Sequence, residues 1–204
     1  MAIKAILFDL GGVLLRTADF TPRDRLAARL GMNRHDLEEF VFGKESGEMA
    51  QRGAITARQH WHNLRQALDY SPEALQSLLE EFFGSDVLDE SLLDYVRKLH
   101  LTYKTGLLSN AWDDLHQVIA EKWHFEDAFD DIVISAEVKL VKPDPGIFQL
   151  AVERLGVEAR QAIFVDDTQR NVFGAEAAGL IGIQFHSPGQ LRYDLELLLD
   201  GNKR

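Results

Sequence analysis

KAILFDLGGVL, Lys4 to Leu14, decides the fold: a short apolar run stops at a carboxylate, Asp9, and the chain then turns through two glycines. An apolar run closed by a tight turn suits a fully buried strand. Four later stretches share the form: KTGLLSN (104–110), DIVISA (131–136), AIFVDD (162–167) and LIGIQF (180–185). Amphipathic segments separate them. In LDESLLDYVRKLH (88–100), Leu88, Leu92, Leu93, Val96 and Leu99 fall on one helical face, and DDLHQVIAEKW (113–123), PGIFQLAVERLG (145–156) and QRNVFGAEAAG (169–179) also read as helices. Alternation of strand and helix predicts an α/β fold, a three-layer, Rossmann-like parallel sheet with helices on both faces. Ligands of such sheets sit at the carboxyl ends of the strands.

Residues from about 16 to 86 break the alternation. TPRDRLAARLG, NRHDLEEFVFG, TARQHWHNLRQAL and SPEALQSLLEEFFG read as helices, with Thr, Asn and Ser as N-caps and Gly following three of them. The expected organisation is an α/β domain from residues 1–15 and 87–204, interrupted by an all-helical domain over 16–86. The insert holds 9 Lys+Arg and 12 Asp+Glu, net −3, which leaves 13 and 21, net −8, for the sheet domain. A cation could use some of that excess acid. No repeat or low-complexity tract stands out, and only the final GNKR reads as a loose tail.

With 204 residues, 46% of them apolar, the chain has ample material for a core. Its net charge of −11 repels phosphate backbones and anionic lipid, and there is no basic run to reverse this, so neither nucleic acid nor membrane is an expected partner. The lack of Cys excludes disulfides, thiolate metal sites and Cys nucleophiles. The apolar run in MAIKAILFDL is too short for a signal peptide and no stretch is long enough to span a bilayer, so a cytoplasmic location is expected.

The strand ends display Asp9, then Ser109 and Asn110, then Lys142 soon after the third strand, then Asp166 and Asp167. A parallel sheet gathers all of these at one edge. Three carboxylates in a partly desolvated cleft repel one another unless a positive charge lies among them, and oxygen donors without His or Cys point to Mg²⁺. Lys142 adds a fixed ammonium. A divalent cation, an ammonium and a hydroxyl at a helix start together suit a phosphoryl dianion, and a carboxylate in line with the phosphorus can attack it.

In this order the motifs resemble those of the haloacid dehalogenase-like hydrolases, in the subgroup with a helical cap inserted after the first strand: FDLGGVL (8–14), LLSN (107–110), VKPDPGIF (141–148) and FVDDTQRNVFGAEAAG (164–179). The resemblance covers nearly the whole chain. It implies that Asp9 is the nucleophile, that Ser109 and the Asn110 backbone bind phosphate, and that Lys142 pairs with Asp9 and stabilises the phosphoryl group in transit. It further implies Mg²⁺ held by Asp9, Asp167 and the Gly11 carbonyl, with Asp166 sharing the ion or holding its waters and Lys142. The expected partner is a small phosphorylated metabolite. Dehalogenases of the same superfamily resemble the chain too, but carry neutral residues where Asp166 and Asp167 stand. A metal-free reading would leave those charges uncompensated.

One position departs from the pattern. Phosphatases that the chain resembles usually carry a second Asp two residues after the nucleophile, where Gly11 stands here. Loss of such a general acid costs ~10²–10⁴-fold in rate, least where the leaving oxygen is already a stable anion. The expected substrates are therefore activated esters such as sugar 1-phosphates, with a catalytically silent binder of a phosphorylated ligand or a protein partner as the alternative and a 2-haloacid dehalogenase as a weaker one. Asp19, His60 and His62 are the candidate replacement acids or substrate contacts by chemistry alone. Both histidines flank Trp61, off its helical face, and partly exposed cap residues without catalytic duty are expected there.

Overall fold

The computed structural model describes residues 2–200; the GNKR stretch read as a tail lies outside them. Strand β1 is Ala5–Phe8 and β2 is Leu15–Thr17. Five helices follow: α1 (Thr21–Arg29), α2 (Arg34–Phe42), α3 (Lys44–Gln51), α4 (Ala57–Ala67) and α5 (Pro72–Phe83). The chain returns through β3 (Asp86–Leu88), α6 (Glu90–His100) and β4 (Lys104–Ser109). Helix α7 (Leu115–Val118) runs into a π-helical turn over Ile119–Trp123, and β5 (Asp131–Ile134) and α8 (Ser135–Val138) come next. The last elements are α9 (Pro145–Arg154), β6 (Ala162–Asp166), α10 (Gln169–Ala177), β7 (Ile181–Gln184) and α11 (Pro188–Asp200).

The main sheet is parallel, in the order β5-β4-β1-β6-β7. With β1 central and the chain winding outward to both edges, every strand ends at the same edge, and the order reverses beside β1. Side chains of β1 alternate between two cores. Ile6 and Phe8 pack with α6, α7 and α11, while Ala5 and Leu7 pack with α9 and α10. A strand buried on both faces explains why KAILF reads as continuous apolar sequence.

The insert has a core of its own, built on Leu26, Leu37, Val41, Leu64, Leu78 and Phe82. Its only covalent links to the sheet run through the antiparallel β2–β3 ribbon, where Leu15 pairs with Leu88 and Thr17 with Asp86. Leu88 thus belongs to a strand and α6 begins later behind the Asp89 cap, so Leu88 is not on the helical face of Leu92, Leu93, Val96 and Leu99, although it packs against the same core. Asn33, Thr56 and Ser71 cap α2, α4 and α5 as expected. Thr21 does not cap α1: it lies inside the helix, and Asp19 accepts its N–H at 2.9 Å.

Beyond the ribbon, Trp112, Asp113 and Ser135 also dock the insert. Trp112, from the loop after β4, stacks on Phe42 at 5.7 Å and meets Trp61 edge-on at 4.6 Å. Its neighbour Asp113 accepts the Ala57 N–H at the start of α4, 2.8 Å away, a favourable place for a carboxylate beside the helix dipole. The Ser135 hydroxyl donates to the Gln51 carbonyl at 2.7 Å.

Candidate active site

The Asp9 N–H donates to the Val165 carbonyl at 2.9 Å, which carries the β1–β6 pairing one residue past the strand and brings Asp9 alongside Asp166. Lys142 fills the space between them. Its Nζ lies 2.7 Å from Asp9 Oδ1 and 2.7 Å from Asp166 Oδ2, and its side chain is only 1% exposed. Asp9 Oδ1 also accepts the Leu10 N–H at 2.8 Å. Among the described residues Asp9 Oδ2 has no donor, so one oxygen of the pair is left for a partner from outside the protein.

Lys142 reaches this position from a loop, and Asn110 holds it there. Asn110 Oδ1 accepts the Lys142 N–H at 2.8 Å, and its Nδ2 donates to the Lys142 carbonyl at 3.0 Å. Asp166 is fixed just as fully by the Thr168 N–H at 2.8 Å and by Asn171 Nδ2 at 3.1 Å from each oxygen. Neither the Asn110 clamp nor Asn171 was expected from sequence. Asn171 could have been found, since it sits in the first turn of the helix that follows the acidic pair.

Asp167 stands at the mouth of the cleft, exposed, and its carboxylate lies against the Asp9 loop. The two glycines of that loop answer to different constraints. Gly12 has φ +77°, and a Cβ there would come within 2.3 Å of Asp167 Oδ2. At Gly11 a Cβ would meet nothing within 4 Å, and the backbone is not left-handed.

Oxygens of Asp9, Asp166 and Asp167 all lie within 4.8 Å of one another, so the three carboxylates could hold a metal ion. Burial, opposed by Lys142 and reinforced by Asp166, raises the Asp9 carboxyl from 3.8 to about 7. Burial and then Asp166 also raise Asp167. The cluster has more negative charge than one ammonium can balance. At the adjoining strand end Ser109 is buried at the close of β4, and among the described residues its hydroxyl has no hydrogen-bond partner.

The structure places the other three candidates elsewhere. Asp19 is exposed and its bond to Thr21 keeps its carboxyl below the ordinary range, which suits a cap better than an acid. His60 is fully buried in the insert rather than partly exposed as expected, because the turn of α4 points it at α2 and α3. Its Nε2–H donates to the Val41 carbonyl at 2.9 Å, which leaves Nδ1 to accept the Ser46 hydroxyl at 2.9 Å. Both nitrogens are taken. His62 is exposed and lines a groove to which Asp9, Ser109, Lys142 and Asp167 contribute nothing.

Burial lowers the His60 pKa from 6.5. The unfolded chain then takes up the proton first, so this contribution is present above the unfolded value and is lost as the pH falls below it. Urea unfolding followed by tryptophan fluorescence should show the insert weakening as the pH falls below about 6.5, and His60→Gln should flatten that slope. An unchanged slope would assign the effect to other groups.

Comparison with known proteins agrees with this geometry. Residues 3–179 match the profile of the haloacid dehalogenase-like hydrolases. The chain belongs to that family. Among relatives of this hydrolase, a sesquiterpene phosphatase of Aspergillus oryzae is 27% identical, the match covering 88% of each chain. A pyrimidine 5'-nucleotidase of Escherichia coli is 31% identical, over 86% of this chain and 82% of its own. Among solved structures, a family enzyme of Bacteroides thetaiotaomicron in complex with magnesium and inorganic phosphate superposes with a TM-score of 0.76 at 24% identity, over 91% of this chain and 95% of its own. That likeness establishes the fold, a parallel sheet between helical layers.

Proposed function

We propose that this hydrolase is a Mg²⁺-dependent phosphatase that cleaves a small phosphorylated metabolite through an aspartyl-phosphate on Asp9, with the helical insert as a cap over the site. The observation that carries the reading is Lys142, buried between Asp9 and Asp166 with Asp167 at the mouth. A metal-free site for a haloacid, itself a carboxylate anion, would leave that much negative charge uncompensated. The donor set fits Mg²⁺: the three side chains offer oxygens alone, brought within 4.8 Å of one another, as a small hard cation requires. Asp9, Asp167 and the Gly11 carbonyl would hold the ion, with Asp166 sharing it or ordering its waters. When bound, Mg²⁺ supplies charge neutralisation to the phosphoryl oxygens.

The remaining chemistry belongs to the chain. The Asp9 carboxylate attacks phosphorus, and the ester P–O bond breaks with its electron pair on the departing substrate oxygen. Ser109 Oγ–H and the Asn110 N–H donate to equatorial phosphoryl oxygens, while Lys142 offsets charge on Asp9 and on the group in transit. Water then attacks the aspartyl-phosphate, releases inorganic phosphate and restores the carboxylate. Position 11 offers no base, so the water's proton passes to solvent. For the same reason the departing oxygen leaves unprotonated, which selects sugar 1-phosphates, aryl phosphates and acyl phosphates over alkyl esters.

Phosphate release from p-nitrophenyl phosphate, sugar 1-phosphates and alkyl phosphates, with Mg²⁺ and with a chelator, tests the reading. Release from the activated esters that stops on chelation is expected. Full activity under chelation would remove the metal from the mechanism. Gly11 favours one second reading, a catalytically silent phosphate binder. No turnover on any ester, with phosphate still bound in the presence of Mg²⁺, would establish that reading instead.

A further inference from the structure

A groove of about 600 Å³ runs between α4, α5 and the π-helical turn, within the size range of small-molecule sites. Arg58, His62 and Arg65 line it from one stripe of α4, and Lys122 faces them from the sheet domain. The floor is apolar, with Trp61 and Phe83 among its residues, their rings edge-to-face at 6.3 Å. Elsewhere in the insert Arg23 meets Asp86 and Arg29 meets Glu81, while Arg25 and Arg52 form no ion pair among the described residues. Arg58, Arg65 and Lys122 form none among the described residues either, in a chain of net charge −11. The one acid of the groove, Glu80, takes the Gln76 amide along its own helix at 2.9 Å.

We propose that this groove is a second ligand site, separate from the Asp9 cleft, for a small anionic amphiphile: a carboxylate, sulfonate or phosphate head on an apolar body. Unpaired guanidinium groups over an aromatic floor supply both halves of that recognition. The head finds charge-assisted hydrogen bonds, and the tail covers the rings of Trp61 and Phe83. Neither half explains the groove alone. An apolar ligand would leave the cations unused, and a bare anion would leave the aromatic floor in water.

Calorimetric titration of the whole protein with hexanesulfonate, with Mg²⁺ and saturating inorganic phosphate present to occupy the Asp9 cleft, tests this. Saturable binding to one site is expected, at least ~10-fold weaker for hexanol and for methanesulfonate, which each keep one half of the probe. The double variant Arg58→Ala/Arg65→Ala should lose binding to the same extent while melting at the native temperature, and Arg58→Lys/Arg65→Lys should restore most of it. Equal binding by the alanine variant, equal binding of hexanol, or no saturable binding at millimolar probe would each overturn the proposal.

Discussion

Gly11→Asp is expected to raise kcat/KM for an alkyl phosphate by ~10²-fold or more, while turnover of an aryl phosphate changes little. The substitution needs no rearrangement, because a Cβ at Gly11 meets nothing within 4 Å and the backbone there is not left-handed. The new carboxyl stands two residues beyond the nucleophile, in a cluster already overloaded with negative charge. That surrounding favours its protonated form, which a general acid requires. An alkoxide leaves only with difficulty unless it is protonated, so such a substrate gains most from the acid. An aryl oxide is a stable anion and gains least. A uniform gain across both substrates, or none on either, would break the link drawn here between Gly11 and leaving-group quality. The neighbouring glycine offers no such opening, since its φ of +77° and its contact with Asp167 resist any side chain.

Asp9→Asn is expected to abolish phosphate release, by ~10⁴–10⁶-fold, without unfolding the protein. The amide keeps the shape of the carboxylate but loses its charge and its nucleophilic oxygen. Lys142 still has Asp166 at 2.7 Å, so no buried ammonium is stranded. Phosphate binding measured by calorimetry should therefore survive while turnover disappears. Trapping with hydroxylamine separates the roles further, since an acyl phosphate should be captured on the native enzyme and not on the variant. Retained turnover in the variant would remove Asp9 from the covalent step.

The sheet was legible because its three inner strands are buried and its edge strands partly so, and burial writes itself as an apolar run closed by polar or turn residues. Four insert helices were legible through their amphipathic faces and turn residues. Other features depend on neighbours that no local pattern records. DIVISA was read as one strand, yet Ser135 already begins α8, where its hydroxyl reaches the Gln51 carbonyl. Helix α3 has Gly47 at its middle and no side-chain cap at its start, and α11 lies beyond the last strand. In the site, the residue types at the strand ends were readable one by one. The Asn110 clamp on Lys142 was not, because it joins two loops 32 residues apart in the chain. The same limit applied to His60, whose burial depends on what α2 and α3 place against it.

The loop that leaves Ser109 makes two connections within a few residues. Asn110 grips the backbone of Lys142, while Trp112 and Asp113 hold the helices of the insert. Mechanically the insert is tethered by one ribbon and latched by one indole and a few hydrogen bonds. The strength of that latch can be tuned by substitutions at Phe42 or Trp61, far in sequence from every acid in the cleft. On the proposed mechanism, the hold on the insert and the handling of the phosphoryl group would thus be adjustable by separate sets of residues, although both are anchored on a single turn of chain.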